Sequence, residues 1–159
     1  MGALALACSD DTESPSTSSI RVVIGTGLSE YEPLDGEPTV PLISGIQGGF
    51  HVWTSFITYG FDTDVVYMEL STSTDGVPDS VLPQNGTVAL RPAFDDAGEP
   101  VLTSVGWPAI VYDPKCAHGR RLRLSLTVTD RESGLRARDS RHCIVDVPPE
   151  YRESNCGAE

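Results

Sequence analysis

Apolar and polar residues alternate most strictly over Arg121 to Thr129. Leu122, Leu124, Leu126 and Val128 fall on one side, and Arg123, Ser125, Thr127 and Thr129 on the other. Successive side chains of a strand point to opposite faces, so this is the pattern of a half-buried antiparallel strand. Asp130-Arg131-Glu132-Ser133-Gly134 supplies a hairpin loop, and Leu135 to Val147 returns with Cys143, Val145 and Val147 on the inner face. A loop centred near Glu132 makes paired positions sum to about 264–266, which sets Cys143 opposite Leu122.

The rest of the chain reads as short strands between turn residues. Residues 20–24 predict a first strand closed by Gly25-Thr26-Gly27, and Asp35-Gly36 predicts a turn. Val40 to Ile43 is a short strand containing Pro41, which places it at a sheet edge. Phe50 to Tyr59 carries bulky residues on both faces: Phe50, Val52 and Phe56 on one, His51, Trp53, Ile57 and Tyr59 on the other. Such a strand belongs in the centre of a sheet, covered at least in part on both sides. Val65 to Ser71 alternates again, Asp75-Gly76 and Asn85-Gly86 read as turns, and Thr87 to Pro92 as a strand. Asp95-Asp96-Ala97-Gly98 is a further turn, and Val101 to Tyr112 a strand interrupted by Gly106-Trp107-Pro108. About seven to nine strands with turns every ~8–14 residues predict an all-β chain folded as an antiparallel β-sandwich. Leu122 to Asp130 followed by Gly134 resembles the closing hairpin of immunoglobulin-like and cadherin-like bacterial surface domains. The resemblance covers about 30 residues and implies an immunoglobulin-like sandwich.

Composition changes this picture in two places. The 159 residues suit one domain, read here as residues 20–149, with a C-terminal tail at 150–159. The net charge of −12 argues against nucleic acid as a partner, since that needs a basic face to displace counterions. It also argues that any attachment to an anionic membrane surface would be covalent. The basic residues are ten Arg and Lys115, and seven of the Arg lie between Arg120 and Arg141, where pairing with the surplus acids is expected.

The N-terminal residues 1–8 are apolar up to Cys8, and Ser9-Asp10-Asp11 turns abruptly polar. Ala5-Leu6-Ala7-Cys8 resembles the lipobox of bacterial lipoproteins, with Ala5 where Leu is usual. The resemblance implies that Cys8 becomes the lipid-modified N-terminal residue after cleavage of a signal peptide. It implies, through Ser9, an outer-membrane rather than inner-membrane address, on the periplasmic or surface side of the cell envelope. No basic n-region precedes Cys8, which predicts a true start upstream of Met1. Residues 9–19 hold five Ser, two Thr, three acids and a Pro with no large apolar residue, a composition that cannot repay its ordering entropy and reads as a disordered spacer. Leu6 stands where myristoylation requires Ser or Thr, and no run of ~20 apolar residues could span a bilayer. Gln47 to Trp53 is similar to a motif of uncharacterised lipoproteins from myxobacteria and their relatives, which bears on location and fold and brings no activity.

Four cysteines, Cys8, Cys116, Cys143 and Cys156, leave three once Cys8 carries lipid. An oxidising compartment favours one disulfide. Cys156 in the tail reaches Cys116 more easily than Cys143 does, so Cys116–Cys156 is the expected bridge and Cys143 a buried core thiol. His51, Cys116, His118, His142 and Cys143 are metal-ligand types without zinc spacing, and Asp62, Asp64, Asp75, Asp79, Asp95 and Asp96 lie in loops without an EF-hand pattern, so no metal or other cofactor is expected. No nucleophile turn accompanies the Ser, His and Asp residues, and His51 beside Trp53 reads as a packing residue. Asn85-Gly86-Thr87 matches a glycosylation sequon, although Asn-Gly is first a turn former. The expected function is therefore a lipid-anchored, non-catalytic binding or structural module of the envelope whose partner is a protein or a polysaccharide. The alternative is a small envelope hydrolase or metal-handling protein.

Overall fold

The computed structural model describes residues 19–46, 49–77, 81–111 and 113–152. Cys8, most of the spacer, Asp79 and Cys156 lie outside them. Within them the chain is all-β and forms two sheets facing each other as a β-sandwich. Eleven strands follow in order: β1 (Arg21–Thr26), β2 (Glu32–Pro33), β3 (Thr39–Pro41), β4 (Ile43–Ser44), β5 (Phe50–Tyr59), β6 (Val65–Thr74), β7 (Gln84–Ala89), β8 (Arg91–Phe94), β9 (Pro100–Ile110), β10 (Arg121–Thr129) and β11 (Arg136–Asp146). The first sheet runs β2-β1-β5-β9-β8, with β4 also paired to β5. The second runs β3-β11-β10-β6-β7. All pairings are antiparallel except β3 with β11.

The β10–β11 hairpin has the register its alternation predicts, with Leu122 opposite Cys143. Leu122, Leu124, Leu126 and Val128 are all buried, as are Cys143, Val145 and Val147. They meet Val22 and Ile24 of β1, Val52 and Phe56 of β5 and Met68 and Leu70 of β6 in one core. β5 is central, between β1 and β9, as its two bulky faces require.

Four expectations are corrected. The segment Val40 to Ile43 is two strands, because the chain leaves the second sheet after Pro41 and joins the first at Ile43, with Leu42 buried at the crossing. The same happens within Thr87 to Pro92. β7 belongs to the second sheet and β8 to the first, and Leu90 is buried between them. A leucine at each crossing plugs the gap between the sheets, and such burial is worth about 1.5–3 kcal/mol. Asn85-Gly86 is not a turn: both residues pair with β6, Asn85 opposite Glu69 and Gly86 opposite Met68. The reversal lies earlier, at Asp75-Gly76, where Gly76 adopts φ 72° and Val77 N–H bonds to the Thr74 carbonyl. A long partner strand with a vacant edge outcompetes a local turn preference. Finally, β9 is not interrupted at Gly106-Trp107-Pro108 but bulged, with the register slipping opposite Thr54 to Phe56. Gly106 sits at φ 76°, and a Cβ there would come within 2.7 Å of the Leu28 carbonyl oxygen.

Candidate functional site

The outward residues of a sheet edge to edge with solvent are normally polar. On the first sheet an apolar strip breaks this rule: Val23 of β1 and Ile57 of β5 stand side by side, in register with Thr103 of β9, and Val105 lies next along β9. Ile57 is only 6 % exposed although it faces away from the core. The chain rises on both sides of it, as the loop from Ser29 to Asp35 and as the turn from Phe94 to Ala97, and the result is a groove of about 710 Å³.

Each wall is held by specific contacts. On one side Tyr31 lies against Gly25, where a Cβ would sit 2.5 Å from the tyrosine ring, so only glycine lets the ring down onto the strand. Burial pushes the Tyr31 phenol up to about 12, partly offset by the Arg141 guanidinium nearby. On the other side Asp95 organises its own turn, with Oδ1 accepting from the amides of Ala97 at 3.0 Å and Glu99 at 2.9 Å. Its Oδ2 accepts from the Tyr59 hydroxyl at 3.0 Å, and the Arg21 guanidinium stacks 3.9 Å above the Tyr59 ring. The Glu99 amide, opposed by desolvation and helped by Tyr59 and Ala97, holds the Asp95 carboxyl below the usual range. Burial, with the bond to Asp95, raises Tyr59. Beyond this rigid wall Phe94 ends β8 with 76 % of its surface exposed, and Arg91 stands opposite Thr103.

A polar seam closes one side of the sandwich beside the groove. Asp139 and Arg141 share the inward parity of Cys143 and Val145, yet lie where β11 no longer has β3 beside it. Asp139 Oδ2 accepts from the Ile24 amide of β1 and from Arg141 Nε, both at 2.9 Å. The carboxylate thus takes the place of a neighbouring strand for β1. Parity alone could have placed these two residues inside the sandwich, because Leu124 pairs with Arg141 and Leu126 with Asp139.

The outer face of the second sheet is different in kind. Ser71 of β6, Arg123, Ser125 and Thr127 of β10, and Arg136, Arg138 and Ser140 of β11 line an open depression of about 640 Å³, together with Glu69, Asp139 and the exposed Pro83. Of the seven arginines expected to pair with acids, three do so among the described residues: Arg121 with Glu37, Arg136 with Glu69 at 3.0 Å, and Arg141 with Asp139. Arg120 donates to the Asp75 carbonyl, Arg131 lies 5.4 Å over the Tyr67 ring, and Arg123 donates from Nε to the Ser140 hydroxyl at 2.9 Å.

The residues singled out in the sequence are not brought together. Cys143 is a buried free thiol, pushed up to about 12 by burial and by the Glu37 charge. Cys116 closes a short 3-10 turn, Pro114–Cys116, and is not among the free thiols. His51 is buried on the outer side of β5, 4.4 Å from the Trp53 ring in a T-shaped contact, and burial lowers its pKa. His118 accepts from the Val147 amide at 3.3 Å, while His142 lies across from Arg123 on the outer face of the second sheet. Among the described residues no three His, Cys, Asp or Glu side chains converge in a metal-binding group. What sequence reasoning missed is the groove, whose one signal was the double-sided bulk of β5.

No protein-family model matches the chain, and no curated protein matches it in sequence.

Proposed function

We propose that this chain is a lipid-anchored, non-catalytic module of the bacterial cell envelope that binds a protein partner in the groove of its first sheet. The observation that carries the reading is the wall formed by Arg21, Tyr59 and Asp95 with the exposed Phe94 beyond it. Tyrosine and arginine side chains held rigidly around a recess, with an apolar side chain free at the rim, are the composition of a protein-binding hot spot. Pre-organisation lowers the entropy lost on association. The groove combines rings, guanidiniums and carboxylates that already satisfy one another, and this favours binding over acid–base chemistry.

The order of the strands supports the immunoglobulin-like reading. β1-β5-β9-β8 follows the A-B-E-D order, and β11-β10-β6-β7 follows G-F-C with an added C′ strand. The anchor rests on Cys8 and the spacer behind it. Radiolabelled palmitate should label the full-length protein and fail to label Cys8→Ser; labelling that does not depend on Cys8 refutes the anchor. The bridge Cys116–Cys156 is proposed with it, and a cross-linked Cys116–Cys143 peptide in a non-reduced digest would overturn that pairing.

The groove is tested by replacing Phe94 with a photo-crosslinking phenylalanine analogue in cells. One discrete envelope protein should be captured, and capture should be lost when Tyr59→Ala is added but kept with Thr87→Ala on the other sheet. Capture that ignores Tyr59, or no discrete product, sinks the proposal.

A further inference from the structure

The open face of the second sheet supports a different ligand. Arg123 and Arg138 are both exposed there, and neither has a carboxylate partner among the described residues. In a chain of net charge −12, acids to neutralise them are abundant, yet the two carboxylates that line the depression, Glu69 and Asp139, pair with Arg136 and Arg141 instead. Arg123 is also oriented. Ser140 donates to the Leu124 carbonyl at 3.2 Å, lies 3.2 Å from Ser125 Oγ, and accepts from Arg123 Nε. That fixes the plane of the guanidinium and leaves its terminal nitrogens to a ligand. Arg138 pairs in register with Thr127, four residues along β10 from Arg123. At the rise of a strand, the two guanidinium stems are therefore about 14 Å apart. Ser71, Ser125, Thr127 and Ser140 lie in the same depression.

We infer that this face binds an acidic polysaccharide of the polyuronate class, with Arg123 and Arg138 each taking a carboxylate and the hydroxyls between them meeting sugar hydroxyls. A peptide is a poorer fit. The backbone of β10 is already paired on both sides, so no strand can be added, and among the described residues lining the depression only Pro83 is both apolar and exposed, with no aromatic anchor beside it. A dense polyanion such as nucleic acid is poorer still. The surrounding negative charge repels it at long range, and a polyuronate, with one carboxylate per sugar, carries less charge per unit length than duplex DNA and meets the guanidiniums through bidentate bonds. This site is independent of the groove, and its failure would leave the protein-binding proposal untouched.

The test is titration calorimetry of the full chain with polygalacturonate, neutral dextran, poly-glutamate and duplex DNA at ~0.15 M ionic strength, where charges beyond about 8 Å are screened. Polygalacturonate should bind and the other three should not. Arg123→Gln and Arg138→Gln should each weaken binding about tenfold or more, and Arg123→Lys should weaken it too, since lysine cannot present a planar fork. Phe94→Ala should bind as the unmodified chain does. Thermal melts establish that each variant is folded, and a second measurement on the unsubstituted protein avoids the question. Bound polygalacturonate should protect Arg123 and Arg138 from phenylglyoxal while leaving Arg152 reactive. No binding of polygalacturonate, equal binding of poly-glutamate or DNA, affinity unchanged by both arginine substitutions, or absence of protection each overturns the proposal.

Discussion

The two outer faces of this sandwich are built on the same strand geometry and differ in what alternates along them. β10 keeps a strict in–out pattern, and its outer face is open, hydroxylated and cationic. β5 is buried along both faces over most of its length, and its outer side is roofed by two loops with aromatic walls. A clean alternation marks a face the chain leaves to solvent. A broken one marks a face that the chain covers itself or offers to a partner.

The sharpest way to break this comparison is to truncate one outward side chain to alanine on each face. Ile57→Ala should cost about 2–4 kcal/mol, as a core truncation does. Thr127→Ala, at an outward position of β10, should stay within about 0.5 kcal/mol. Denaturant unfolding of the two variants reads the difference, and equal small effects would mean that the roof over Ile57 is not packed.

Next in size is the seam. Asp139→Ala strips the Ile24 amide and the Arg141 guanidinium of their shared acceptor, and should cost about 1–3 kcal/mol. Hydrogen exchange at Ile24 should accelerate selectively; a uniform change across β1 would mean that the carboxylate is not standing in for a strand.

Alkali provides a milder probe. Tyr31 ionises at about 12 in the fold against 10.0 for an ordinary tyrosine, so in this interval the native state holds a proton that the unfolded state has lost. Its contribution is fully present below pH 10.0 and declines as pH rises towards about 12. Tyr31→Phe should flatten that part of the stability curve, and an unchanged slope would place the buried phenol elsewhere.

The smallest effect concerns the opposite wall. Asp95 has a depressed folded pKa, so it stabilises the fold above its ordinary 3.8 and loses that contribution as pH falls through the lowered value. Tyr59→Phe removes one of its donors and should move the Asp95 titration upward in carboxylate NMR, with acid unfolding beginning at slightly higher pH. A stationary titration would show that the backbone amides alone set it.

Periodicity made much of this legible. The leucines of β10 defined their own strand, its partner and the pairing of Leu122 with Cys143, because register across a short hairpin is a local property. The crossings at Leu42 and Leu90 were not legible, since a run of residues that changes sheet looks like one strand until its two partners are known. Asn85-Gly86 misled for a related reason: a turn propensity was overridden by a strand more than ten residues away in sequence. The groove was half visible. Ile57 and Tyr59 signalled a covered outer face, but Tyr31 and Asp95 join them only through loop positions, and Phe94 through the last residue of a short strand, none of which a period reports.

The parallel pairing of β3 with β11 has a mechanical consequence. β3 lies near the start of the folded region and β11 near its end, and the Ile144 amide bonds to the Pro38 carbonyl while the Leu42 amide bonds to the Asp146 carbonyl. Tension drawn between the start of β3 and the end of β11 pulls these strands past each other along their length. Their bonds then share the load and must rupture together, whereas peeling would open them singly. A domain loaded in that direction is thus latched by a sheet edge of three residues.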